Sequence, residues 1–90
     1  MSVRHWIIRG RVQGVGFRWF VMSEAERLKL GGYVRNLPDG SVEVVSQGPD
    51  GALEALELQL RRGPSAARVE QLESLQVSLE GDVPRSFEIR

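Results

Sequence analysis

Over residues 3–12, Trp6, Ile8, Gly10 and Val12 fall on one side of an extended chain, and His5, Ile7, Arg9 and Arg11 on the other. Spacing of period two predicts a strand with an apolar core face and a mixed, solvated outer face. The period then changes. Phe17, Val21, Ala25 and Leu28 recur at intervals of four, four and three, the stripe of an amphipathic helix over 17–30, with Trp19, Met22 and Glu26 lying off it. Gly31-Gly32 predicts the helix stop. A short strand over 32–37 follows, then Pro38-Asp39-Gly40, whose Asp-Gly pair suits a tight hairpin. Residues 41–48 return as a third strand, with Val42, Val44 and Ser46 inward and Glu43, Val45 and Gln47 outward. Pro49-Asp50 opens a second helix with Asp50 as its N-cap. Leu53, Leu56 and Leu60 form the buried stripe of that helix, Leu58 faces water, and Gly63-Pro64 ends it. Residues 67–79 predict a fourth strand, with Val69 and Val77 in the core and a bulge near Gln71-Leu72. Gly81 to Pro84 turns the chain, and Phe87-Glu88-Ile89 closes it as a short terminal strand.

The order β-α-β-β-α-β describes two split βαβ units. It predicts a ferredoxin-like α+β sandwich, with both helices on one face of a four- to five-stranded, mainly antiparallel sheet. Ninety residues suffice for one domain, 1–90, with one modest core. No repeat, linker or low-complexity segment interrupts it.

Composition narrows the function. Twelve basic and twelve acidic side chains give a formal net charge of zero, without the basic surplus of a nucleic-acid binder or the polybasic patch of a membrane-surface protein. Cysteine is absent, which excludes disulfides, thiolate chemistry and thiol-ligated metals. The single histidine, His5, cannot make a zinc site by itself, and, on the outer face of the first strand, it nominates no Ser-His-Asp arrangement. No apolar run approaches the ~20 residues of a membrane span, and the first residues lack the apolar region of a signal peptide. A cytoplasmic protein with no nucleic-acid or membrane partner is expected.

The stretch Gly10-Arg11-Val12-Gln13-Gly14-Val15-Gly16-Phe17-Arg18 joins the first strand to the first helix. Glycine at 14 and 16 permits positive φ and close approach of backbone to a ligand. A loop that opens a helix also aims several N–H groups one way, with the helix dipole behind them, which is the physics of an anion site. Arg18 falls on the first turn, where its guanidinium fork can close over the anion. No Lys-Ser or Lys-Thr follows Gly16, so this is not a P-loop, and Trp19 stands where a dinucleotide fingerprint needs a third glycine. From glycine spacing alone, a plain tight βα turn is the commoner reading, and the arginine at the helix entry shifts that balance without deciding it. Glu24, Glu26, Glu54 and Glu57 read as solvated helix charges, and His5 as a surface residue. Chemistry here must therefore rest on positioning and electrostatics rather than on a nucleophilic side chain. Asn36 is the other candidate. The end of the second strand could return beside the helix start, and an amide both donates to and accepts from a water. Before Leu37-Pro38-Asp39-Gly40 it also reads as a turn former.

The Gly10–Arg18 stretch, Gly32-Tyr33-Val34-Arg35-Asn36, and Gly40-Ser41-Val42-Glu43-Val44 with Gln47-Gly48-Pro49 together resemble the acylphosphatase family. Gly63-Pro64, Ala67-Arg68-Val69 and the Phe87-x-Ile89 ending are similar to its later part, so the resemblance spans nearly the whole chain. It implies the ferredoxin-like fold and hydrolysis of a small-molecule acyl phosphate to a carboxylate and inorganic phosphate, with no metal and no cofactor, by a protein expected to be monomeric. By motif position it implies Arg18 as the phosphate-binding catalytic arginine and Asn36 as the residue that positions the attacking water. The backbone N–H groups of Gly14, Val15, Gly16, Phe17 and Arg18 would form the phosphate cradle. Tyr33 stands where the family commonly has tryptophan, on the sheet face, where it is expected to alter packing or substrate fit.

Two other readings share these residues. The same loop could hold a phosphorylated metabolite or protein without turning it over; the stand-alone length of the chain favours the enzyme. An RNA-recognition domain has the same element order but needs stacking aromatics on strands one and three, where this chain offers His5, Ile7, Glu43, Val45 and Gln47.

Overall fold

A computed structural model of the chain describes residues 1–77 and 83–90. Its elements are β1 (Ser2–Arg11), α1 (Phe17–Arg27), β2 (Gly31–Asn36), β3 (Val42–Gly48), α2 (Asp50–Arg62), β4 (Arg68–Leu75) and β5 (Phe87–Ile89). The sheet runs β4-β1-β3-β2-β5. Every neighbouring pair is antiparallel except β2 and β5, which are parallel. This is the expected ferredoxin-like sandwich with one added edge strand.

The two helices and the inner sheet face share one core. Trp6, Ile8 and Val12 enter it from β1 and its end, Phe17, Val21 and Ala25 from α1, Val34, Val42 and Val44 from β2 and β3, and Leu53, Leu56 and Leu60 from α2, all essentially without solvent contact. The Trp6 indole N–H, carried into this apolar layer, donates to Glu57 Oε1 of α2 at 2.9 Å. A buried donor left unpaired would cost about 1–3 kcal/mol.

Register brings two distant segments together. Because β1 and β2 are each antiparallel to β3, they run the same way, and Val42 pairs with both Ile8 and Asn36. The C-terminal ends of β1 and β2 therefore lie at one end of the sheet. Paired residues share a sheet face, so Asn36 falls on the helix side with Ile8 and Val42. The chain leaving β1 arches over that end before it starts α1.

Several boundaries and faces differ from expectation. Helix α1 stops at Arg27 rather than 30, because Lys29 takes the left-handed conformation (φ 59°) and the Leu30 N–H reaches back to Ala25 O at 2.8 Å. That closure needs a residue tolerant of positive φ, and it turns Leu30 into the core, 3% exposed. Gly31 and Gly32 are strand residues instead of a helix stop. A Cβ at Gly32 would lie 2.0 Å from Val45 O, and one at Gly31 2.3 Å from Pro84 O, so close backbone approach explains both.

Asp50 is the first helical residue; Pro49 holds the extended cap position, with no side-chain cap bond. The Asp50 carboxylate instead lies 3.9 Å from Arg4, in the first turn, where the helix dipole favours it.

The outer sheet face is not evenly solvated. Ile7, Glu43 and Val45 are buried there, because Glu43 accepts from His5 Nε2 at 2.8 Å and from Arg35 Nε at 2.5 Å, laying long side chains flat across the strands. His5 is thus a paired residue. Met22 is half-buried against the core rather than clear of it.

The bulge lies one residue before its expected place: Arg9 pairs with Gln71 and Gly10 with Val69, leaving Glu70 over. Val69 packs on the core as expected, but Val77 lies beyond the end of β4 and is 40% exposed. Residues 78–79 of the expected strand and 81–82 of the expected turn lie outside the described residues.

Candidate active site

The site grows from the loop between β1 and α1. Gly14 and Gly16 both have left-handed backbone, φ 73° and 77°. A Cβ built on either would meet no protein atom within 4 Å. Backbone conformation, not crowding by the protein, is therefore what restricts these positions to glycine, and the space beside them stays open.

Gly16 also occupies the N-cap of α1 without a side-chain cap bond. The first helical bond runs from Phe20 N to Gly16 O at 3.0 Å. Among the described residues, no backbone carbonyl accepts from the N–H of Gly14, Val15, Gly16, Phe17 or Arg18. Five donors are thus free at the positive end of the helix dipole. Phe17 spends its ring on the core, 1% exposed, so only its backbone is available to a ligand. Arg18 is half-buried and, among the described residues, has no carboxylate within ion-pair distance, unlike Arg9, Arg27, Arg35 and Arg61.

These groups surround a cleft of ≈140 Å³ lined by Val12, Gly14, Gly16, Phe17, Arg18, Trp19 and Asn36. Arg18 and Asn36, assigned from separate segments, therefore meet in one cavity. Asn36 Oδ1 is buried and has no hydrogen-bond partner in the protein. A buried acceptor left open is uncommon and asks for a donor from outside the chain. Larger depressions exist, ≈490 Å³ beside Phe20, Arg62 and Pro64 and ≈450 Å³ beside Lys29, Gln47 and Arg85. They are more open and lack a converging set of free donors, so size does not select the site.

Gln13 does not line the cleft but braces the loop that does, a role its sequence position alone does not reveal. Its Nε2 donates to Leu37 O at 2.8 Å and to Ser41 O at 2.9 Å, tying the loop to the β2–β3 hairpin directly after Asn36. The signal was an amide with two protons to place, in a loop otherwise short of polar side chains. The hairpin is itself braced by Asp39. Hydrogen bonds from the Ser41 hydroxyl and the Ser41 N–H, with one from Arg9, hold its carboxyl down to about 2 from 3.8. Tyr33 stays away from the cleft, on the outer sheet face with the Arg90 guanidinium 4.2 Å from its ring centroid.

Comparison with known proteins supplies the family. A family model described as acylphosphatase matches residues 4–89. The acylphosphatase of Koribacter versatilis is 46% identical over 88 residues, covering 98% of this chain and 79% of that protein. The crystal structure of acylphosphatase from Bacillus subtilis superposes with a TM-score of 0.88 at 40% identity, covering all of this chain and 99% of that one. The same fold also occurs as a small part of a longer protein: the crystal structure of T. kodakarensis HypF matches at TM-score 0.85 and 35% identity over 12% of its length. With free amides, an unpaired arginine and an open carboxamide gathered at one helix start, and with relatives this similar over nearly the full chain, the protein belongs to the acylphosphatase family.

Proposed function

We propose that this protein hydrolyses acyl phosphates to a carboxylate and inorganic phosphate. The phosphoryl group sits on the N–H groups of Gly14, Val15, Gly16, Phe17 and Arg18, with the Arg18 guanidinium clamping two of its oxygens. A water held by Asn36 attacks phosphorus in line with the acyl oxygen. The water O–P bond forms, the P–O bond to the acyl group breaks, and its electron pair leaves on the carboxylate. One water proton passes to a phosphate oxygen, so no side-chain base is required.

The leaving group is already a weak base, which removes the need for a strong general acid. What remains is charge on the equatorial oxygens, and fixed N–H dipoles plus one guanidinium meet it. The observation that carries this reading is the buried, unpartnered Asn36 Oδ1 in the same cleft as the free loop amides. That oxygen can accept from a water and leave the water's lone pair facing the phosphorus. We further propose that residues 1–90 act as a single monomeric domain in the cytoplasm, and that the amides and Arg18 do without a metal.

The test is hydrolysis of acetyl phosphate with EDTA present. Wild type is expected to turn over undiminished. Arg18→Ala should lose roughly 10³-fold or more in kcat/KM and should bind inhibitory phosphate weakly. Asn36→Ala should lose roughly 10²-fold in kcat with phosphate inhibition nearly intact. Full activity in Arg18→Ala would overturn the assignment. Phosphate protection against melting without hydrolysis of any acyl phosphate would make the loop a binding module instead.

A further inference from the structure

The reaction proposed above gives no role to Trp19, which is 70% exposed. A lone exposed apolar side chain needs no explanation by itself. Trp19 differs in its place, because it lines the same cleft as Arg18 and Asn36. It is the third residue of α1, and no partner for its indole N–H is found among the described residues. Side chains on a helix tilt toward its N-terminus, so a residue in the first turn leans toward the mouth of the loop rather than along the helix. The core is complete without it.

The cleft is small, ≈140 Å³, so a phosphoryl group held by the loop amides takes up much of it. The acyl end of a bound substrate must then leave through the mouth. We propose that Trp19 is a specificity residue: its indole face is a platform for the acyl group, so the enzyme prefers acyl phosphates whose acyl part is aromatic or otherwise flat and apolar. This rests on the proposed reaction and adds the substrate class. A flat acyl group stacked on the indole loses water from two apolar faces at once, whereas an acetyl group covers little of the ring. Arg18 and the amides treat both substrates alike, since they touch only phosphate.

The experiment compares kcat/KM for benzoyl phosphate and acetyl phosphate in wild type, Trp19→Ala and Trp19→Phe, with inorganic phosphate as inhibitor. With the indole in water, truncation removes no core packing. The benzoyl-to-acetyl ratio is expected to fall roughly three- to tenfold in Trp19→Ala, the range an aromatic pair supplies beyond its area. The change should lie mainly in KM for benzoyl phosphate, and Trp19→Phe should recover most of it. An unchanged ratio overturns the assignment and leaves the indole as a surface for a partner protein. An equal loss on both substrates also overturns it and makes Trp19 a support for the loop. If wild type cleaves neither substrate, the proposed reaction itself fails; if it cleaves both and the ratio ignores Trp19, only the acyl platform fails.

Discussion

Replacing Gln13 with methionine keeps the length of the side chain and removes its two donors. Both Nε2 protons are in use, to Leu37 O at 2.8 Å and Ser41 O at 2.9 Å. Each carbonyl also accepts a hairpin N–H, Gly40 N to Leu37 O at 3.1 Å and Leu37 N to Ser41 O at 2.9 Å. Neither oxygen is therefore orphaned by the change, and the cost stays near the net value of the bonds, about 0.5–1.5 kcal/mol each. The expected destabilisation is about 1–2 kcal/mol, or roughly 5–15 °C in Tm for a domain of this size.

The kinetic effect should exceed the thermal one. Gln13 is the strap between the loop that carries the amides and the hairpin that follows Asn36, and a misplacement of ~1 Å between reacting groups costs on the order of 10²-fold. Gln13→Met should lose roughly ten- to a hundredfold in kcat on acetyl phosphate while phosphate inhibition weakens only about threefold, because the amides stay on one continuous loop. Assays belong well below both melting points. Leu30→Val, which thins the core beside Gly48 at the opposite end of the sheet, serves as the control for lost stability without lost kcat. Wild-type kcat in Gln13→Met, at any Tm, would refute the strap.

Gly16→Ala and Gly32→Ala separate two reasons for glycine. At Gly16, φ is 77° with no atom within 4 Å of a new Cβ, so only backbone strain applies, about 1–2 kcal/mol. At Gly32, the Cβ would also strike Val45 O at 2.0 Å and force β2 off β3, so its urea midpoint should fall much further; equal midpoints would contradict this. Asp39 supplies a pH dependence. Its carboxyl titrates at about 2 in the folded chain against 3.8 ordinarily, chiefly through the Ser41 hydroxyl. A lowered folded value favours folding above pH 3.8, and that contribution fades as pH falls from 3.8 through about 2. Tm should drop more steeply over that interval in wild type than in Asp39→Asn, and Ser41→Ala should raise the Asp39 midpoint seen by carboxyl NMR. An unmoved midpoint would remove Ser41 as the cause.

Alternation in β1 and β3 and the stripes Phe17-Val21-Ala25 and Leu53-Leu56-Leu60 were readable directly, since they record which way consecutive side chains point. The left-handed loop and its unbonded N–H groups were readable for the same reason: Gly14, Gly16 and Arg18 are neighbours along the chain, and the backbone rules that shape a helix start act over a few residues. The α1 boundary was missed because Lys29 adopts a conformation usually left to glycine. The outer face was misjudged because Glu43 finds His5 and Arg35 on two other strands. Asn36 beside Arg18 and Gln13 beside Leu37 and Ser41 belong to assembly as well, for they exist only once β3 lies between β1 and β2. Periodicity carries the direction of a side chain but not the identity of the strand that comes to lie next to it. That identity is settled when the β1–β3–β2 ladder closes, because one shared partner, Val42, then brings the loop and the carboxamide to the same end of the sheet.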